Sequence, residues 1–109
     1  MVKKYIPDRG DIIWINLDPS LGHEQKGRRP GFVLSPKSYN KVSGLIVACP
    51  ITSISKKYPY EVVLGKRGVI LTDQIRSLSW QERRVEFITR SSPQIVVEVF
   101  NKIKTLFDS

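Results

Sequence analysis

Cysteine, histidine and long apolar runs are scarce in this sequence, and each scarcity removes a class of protein. The 109 residues include one cysteine, Cys49, and one histidine, His23. A lone cysteine makes no intramolecular disulfide. Its setting, Leu45-Ile46-Val47-Ala48-Cys49, reads as core, where free cysteine usually lies. One histidine without clustered cysteine leaves no zinc site, and Asp8, Asp11, Asp18 and Asp73 lack the spacing of a calcium loop, so neither a metal nor another cofactor is expected. A serine-hydrolase triad is equally unsupported, because no serine stands in a strand-turn-helix elbow and His23 is the sole candidate base. No apolar run approaches the roughly 20 residues of a membrane span. Met1-Val2-Lys3-Lys4 leads into Tyr5-Ile6-Pro7-Asp8-Arg9-Gly10 rather than into an apolar signal segment. A cytoplasmic protein with no membrane association is the expectation.

Acidic residues are few as well. Ten Asp and Glu stand against 18 Lys and Arg, a net charge of +8. On a chain this small that field attracts polyanions, nucleic acid first among them. Charge alone separates neither RNA from DNA nor binding from cutting. With no internal repeat, low-complexity tract or linker, residues 1–109 read as a single domain, which at this size buries roughly two-thirds of its unfolded surface.

What is present is a series of short strand signals. Asp11 to Leu17 carries Ile12, Ile13, Trp14 and Ile15, with Asp18-Pro19 as the stop. Gly31-Phe32-Val33-Leu34-Ser35 and Gly44-Leu45-Ile46-Val47-Ala48 are apolar runs of the kind that form buried central strands. Tyr60 to Leu64 and Val69 to Thr72 flank Gly65-Lys66-Arg67-Gly68, a plausible hairpin connection. Gln74 to Leu78 and Val85 to Thr89 alternate polar with apolar residues, as half-buried antiparallel strands do. A helical turn over Ser79 to Arg83 is weakly signalled. The one strong helix comes last. Ser92 suits its N-cap and Pro93 its first position, while Val96, Val99, Phe100, Ile103, Leu106 and Phe107 recur at helical spacing. Six to seven short strands and a closing amphipathic helix predict a mainly β fold, a bent antiparallel sheet or small barrel with its open end plugged by the helix.

Three segments carry polar chemistry that a core does not need. Gly22-His23-Glu24-Gln25-Lys26-Gly27-Arg28-Arg29-Pro30 is long and charged between two strands, and places an imidazole, a carboxylate and two guanidiniums within nine residues; functional loops look like this, although a solvated loop has the same composition. Pro50-Ile51-Thr52-Ser53-Ile54-Ser55-Lys56-Lys57 offers hydroxyls at a strand end and two lysines that suit a phosphate backbone, or an ordinary turn. Asp73-Gln74 lies between apolar stretches, where an Asp serves a turn as well as a site. With metal and serine chemistry set aside, what remains is chemistry that needs only positioned donors and a proton acceptor, and cleavage of RNA by its own 2'-hydroxyl is one such reaction. The substrate supplies the nucleophile, and the protein supplies proton transfer and charge stabilisation, for which the planar Arg fork is well shaped.

These residues resemble the MazF/PemK (Kid-like) toxins of bacterial toxin-antitoxin modules, across essentially the whole chain. The resemblance rests on Arg9-Gly10-Asp11-Ile12, Leu17-Asp18-Pro19, Gly22-His23-Glu24-Gln25 with Gly27-Arg28-Arg29-Pro30, Val33-Leu34-Ser35-Pro36 and Tyr39-Asn40. It continues through Pro50-Ile51-Thr52-Ser53, Tyr58-Pro59-Tyr60-Glu61-Val62 and Asp73-Gln74-Ile75-Arg76-Ser77, all in the family's order and spacing. The resemblance implies an SH3-like or CcdB-like barrel with a C-terminal helix, assembled as a homodimer. It further implies metal-independent cleavage of single-stranded mRNA at short motifs, leaving 2',3'-cyclic phosphate and 5'-hydroxyl ends, and silencing by a cognate antitoxin with an acidic, disordered tail. Matched residue by residue, it makes Arg29 the general acid/base or phosphate clamp, Thr52 a transition-state donor and Glu24 a helper in positioning or proton transfer. RNA-binding or supporting parts fall to His23, Gln25, Arg28, Ser53, Lys56, Lys57, Asp73, Gln74 and Arg76.

Two departures bear on mechanism. Some relatives carry an Arg two residues before the Asp of Asp-Gln and use an Arg/Asp/His set; this chain has Leu71 there, which favours the Arg29/Thr52 set. Leu17 stands where some relatives have an aromatic able to stack a base. Two other classes remain to be separated. A non-enzymatic CcdB-like gyrase poison has the same architecture but relies on a C-terminal Trp-Gly-Ile, whereas this sequence closes on Leu106-Phe107-Asp108-Ser109. An RNA-binding SH3-like module would need basic and aromatic surface but no particular Arg/Thr pair.

Overall fold

Among the described residues, runs of β-branched and aromatic side chains pair into seven antiparallel strands. The computed structural model describes residues 4–17 and 27–108; His23, Glu24 and Gln25 lie outside them. In chain order the elements are β1 (Asp11–Asn16), β2 (Arg28–Val33), α1 (Lys37–Ser43), β3 (Leu45–Thr52), β4 (Glu61–Val63), β5 (Val69–Leu71), β6 (Arg76–Ser79), β7 (Glu86–Arg90) and α2 (Pro93–Phe107). The strands lie in the order β4-β5-β3-β2-β1-β7, with β6 also paired to β3. A barrel-like, mostly antiparallel sheet with a C-terminal helix is what the sequence predicts.

β3 is the hub. Leu45 to Ala48 pair with β6, Ile51 and Thr52 pair with β5, and the opposite edge takes β2. Pro50 stands in the interval between the two partners on one edge, where its missing N–H breaks no ladder bond. The change of partner at this point curls the sheet, as does a bulge between Ile12 and Ile13 in the pairing of β1 with β7.

Strand periodicity then divides the apolar residues between two cores. Ile12, Phe32, Leu34, Cys49, Ile51, Val62 and Ile70 cluster on one face with Val99, and Ile95, Val96, Phe100 and Ile103 of α2 pack over them. Their neighbours in sequence, Ile13, Ile15, Val33, Ile46 and Ala48, cluster on the other face with Trp80. The central runs are apolar without a break because both faces of these strands are covered. Cys49 is buried in the first core, as its setting predicts.

Four local readings are corrected. α1 has no apolar stripe to announce it. Its buried residue is Asn40, whose side-chain amide donates to the carbonyls of Pro7 (2.8 Å) and Ser35 (3.0 Å) and whose Oδ1 accepts from the Ser35 hydroxyl. Arg28, Arg29 and Pro30 belong to β2 rather than to the preceding loop, because they pair with Asn16, Ile15 and Trp14. Where a helical turn over Ser79 to Arg83 is weakly signalled, Ser79 instead closes β6 and residues 80–84 form the turn, with an Arg83 N–H to Ser79 carbonyl bond of 3.0 Å. Phe107 is 75% exposed and stands off the core that Val96, Val99, Phe100 and Ile103 of the stripe cover. α2 begins as expected, with Ser92 Oγ accepting the Ile95 N–H.

Candidate functional site

The register of three strands decides which polar side chains share a face. Ile15 lies opposite Arg29, Gly31 opposite Pro50 and Ala48 opposite Arg76. Carrying the β2–β3 register two residues further places Arg29 across from Thr52. Alternation along each strand then sets Ile15, Arg29, Ala48, Pro50, Thr52 and Arg76 on one face. These residues line one cavity of about 380 Å³, together with Leu17, Pro30, Gln74, Leu78 and Arg83. Its floor is apolar and its charged lining among the described residues is arginine: Arg29, Arg76 and Arg83, with no carboxylate. Such a donor set binds a phosphodiester or another anion and repels a metal ion.

Thr52 is set for donation. Its Oγ1 accepts the backbone N–H of Ile54 at 3.2 Å, which leaves the hydroxyl proton for an acceptor in the cavity. The backbone of Thr52 is fixed from the other side by Gly68. A side chain there would place a Cβ 2.1 Å from the Thr52 carbonyl oxygen, and the φ of +104° is one that side chains rarely adopt. Arg29 donates through Nη1 to the carbonyl of Arg28 at 2.8 Å.

Thr52 and Gln74 also line a second cavity of about 470 Å³, to which Lys56, Tyr58, Glu61 and Asp73 contribute. Here the Asp73 carboxylate beside the Tyr58 hydroxyl holds the phenol above its ordinary pKa. The Lys56 segment is shaped by Glu61, which accepts from the Ser55 hydroxyl at 2.6 Å and the Lys56 N–H at 3.0 Å; these bonds hold the Glu61 carboxyl below its ordinary value. Cys49 borders the first cavity but is no nucleophile, since burial and then the Asp73 charge push its thiol up to about 12.

The structure therefore brings together Arg29, Thr52, Gln74 and Arg76 in the first cavity, and Lys56 and Asp73 beside them in the second. Ser53 and Lys57 are exposed and line neither. Arg28 faces away, paired with Glu86 at 3.7 Å and stacked on Trp14 at 4.7 Å from the ring centroid. Arg83 was not singled out by its sequence context, a turn with no motif. Only its bond to the carbonyl of Asn16 at 3.3 Å and its place at the cavity wall reveal it.

A small curled antiparallel sheet, closed on one face by a helix and opening on the other into an arginine-lined, apolar-floored cavity, defines a class of compact anion-binding β proteins. Within that class the match is specific. The profile of the PemK-like, MazF-like toxins of type II toxin-antitoxin systems covers residues 8–107, and the chain belongs to this family. It is 49% identical over 86 residues to the endoribonuclease toxin MazF of Escherichia coli K12, covering 76% of this chain and 78% of that protein. To the endoribonuclease PemK of Escherichia coli it is 34% identical over 107 residues, 91% of this chain and 80% of the relative. Among solved structures, a MazE-MazF crystal structure from Deinococcus radiodurans superposes with a TM-score of 0.85 at 41% identity, covering 96% of this chain and 98% of the other.

Proposed function

We propose that this chain is the toxin of a type II toxin-antitoxin module, an endoribonuclease that cuts single-stranded mRNA by transesterification and so arrests translation and growth. The observation that carries the reading is that Arg29 of β2 and Thr52 of β3 line one cavity together with Arg76 and Arg83. The names of the relatives, endoribonucleases MazF and PemK, point the same way.

In this mechanism the 2'-hydroxyl oxygen of the RNA attacks the adjacent phosphorus, and the bond from phosphorus to the 5'-oxygen breaks. One proton leaves the 2'-oxygen and one reaches the departing 5'-oxygen, so the products carry 2',3'-cyclic phosphate and 5'-hydroxyl ends and no water is consumed. Arg29 serves as the general acid/base or as a clamp on the non-bridging oxygens, on which charge grows in the phosphorane. The Thr52 hydroxyl donates to the same oxygens. Gln74 and Arg76 hold the chain on one side, and Lys56 with Asp73 on the other. Glu24, outside the described residues, is the proposed helper in positioning or proton transfer, with His23 and Gln25 beside it. Arg28, Ser53 and Lys57 serve as outer contacts to the backbone of a longer RNA.

Residues 1–109 act in this reading as one toxin domain, dimeric and cytoplasmic, silenced by a cognate antitoxin whose acidic disordered tail competes with RNA for the basic surface. No described helix is long and apolar enough to cross a membrane. The test is to incubate the purified protein with a long single-stranded RNA in excess EDTA and map the fragment ends. Cyclic-phosphate and 5'-hydroxyl ends, lost in Arg29→Ala, are expected. Intact RNA from a folded dimer would refute the enzymatic reading and send the next assay to gyrase.

A further inference from the structure

Arg83 is held in an unusual way for a residue in a turn between two strands. The turn itself is anchored in the second core, because Trp80 is buried and its indole N–H donates to the carbonyl of Asn40 at 2.8 Å. The Arg83 carbonyl accepts the Asn16 N–H at 3.0 Å. Its Nη1 in turn donates to the carbonyls of Asn16, at 3.3 Å, and of Leu17. One nitrogen of the guanidinium is thus spent on the end of β1, while the side chain still lines the cavity that holds Arg29 and Arg76. Among the described residues no ion pair reaches Arg83, and neither Nε nor Nη2 makes a hydrogen bond. A planar fork fixed at one corner keeps its other donors in a set direction, which lowers the ordering cost of gripping an anion.

We propose that Arg83 is a phosphate-binding residue of the RNA site, gripping through Nε and Nη2 a phosphodiester next to the one held by Arg29. The proposal rests on the ribonuclease reading and assigns that site a second backbone contact, from the β6–β7 turn. A bare brace for β1 would use the guanidinium equally well without touching RNA, and the two roles differ in one measurable respect. A cation that neutralises a phosphate releases counterions, and each such contact on a single strand contributes about 0.7 to the slope of log K against log salt.

The experiment uses the full-length protein and a 2'-O-methyl oligoribonucleotide that spans the cleavage motif and cannot react. Affinity is measured over a range of salt for wild type, Arg83→Gln and Arg83→Lys. Arg83→Gln is expected to weaken binding and to flatten the slope by about 0.7, whereas Arg83→Lys keeps the slope and loses part of the affinity. An unchanged slope in a folded Arg83→Gln protein overturns the proposal and leaves Arg83 a brace. If Arg83→Gln does not fold, single neutral methylphosphonate linkages are scanned along the oligonucleotide with wild type and Arg83→Lys. A linkage beside the scissile one whose penalty shrinks in Arg83→Lys is expected, and a profile identical in the two proteins overturns the proposal. A wild-type protein that neither binds this oligonucleotide nor cuts its unmodified form overturns the ribonuclease reading and Arg83's role together.

Discussion

The two faces of the central sheet are built from the same strands and put to opposite uses. On the first, Ile12, Phe32 and Ile51 are buried with Ile70 of the β4–β5 hairpin and Val99 of α2, and the face is closed. On the second, Ile13, Val33 and Ile46 are equally buried beneath Trp80, but further along the same strands the cover ends and Arg29, Thr52 and Arg76 take the positions that apolar residues would otherwise fill. The difference teaches how a small chain affords a charged cleft. One complete core carries stability, and the other face can expose polar side chains on rigid strands, where their spacing is fixed by register rather than by loop conformation.

Mutations on the two faces should therefore separate stability from activity. The largest effect falls on the closed face: Phe32→Ala should cost about 3–5 kcal/mol of unfolding free energy, read from the urea midpoint, and a variant as stable as wild type would deny that face its role. On the open face Arg29→Ala should lower kcat by about 10²–10³-fold, as loss of an oxyanion donor does, with the same midpoint as wild type. Thr52→Val, which keeps shape and removes the hydroxyl, should lower kcat about tenfold or more with RNA affinity little changed; a loss of affinity alone would make Thr52 a docking residue. Smaller is Ser92→Ala, about 1 kcal/mol for the lost cap of α2, visible as a lower Tm and not in turnover at 25 °C. The smallest concerns Cys49. With its folded thiol pushed up to about 12, the unfolded chain releases a proton that the folded chain keeps. Stability is thus full below about pH 8.5 and falls above it, by about 0.4 kcal/mol at pH 8.5 itself (RT ln 2) and further toward the folded value. Cys49→Ala should flatten that slope in a pH series of urea melts.

Most of the sheet was legible because its signal is local. Apolar runs punctuated by Gly and Pro mark β1, β3, β4 and β5, and the Ser92-Pro93 cap with a periodic stripe marks α2. α1 was missed because its anchor is the polar side chain of Asn40, which periodicity does not weigh. Its punctuation was nonetheless in place, with Pro36 before it and Gly44 after it in the left-handed region at φ +75°. The candidate site was legible as residue types but not as an arrangement. Arg28 and Arg29 are neighbours in sequence with identical chemistry, yet strand alternation sends one to Glu86 and Trp14 and the other into the cavity. Once Arg28 to Pro30 were taken for loop, that alternation could not be applied to them. Arg83 enters the cavity through long-range pairing with Asn16, which no local pattern encodes.

Gly68 has a genetic consequence. The main chain of Thr52 can hold its course only while the residue against it has no side chain. The codon for Gly68 is therefore a silencing target alongside the codon for Arg29, although the residue it encodes lines neither cavity. Among cells that survive this toxin by point mutation, inactive proteins altered only at Gly68 should recur.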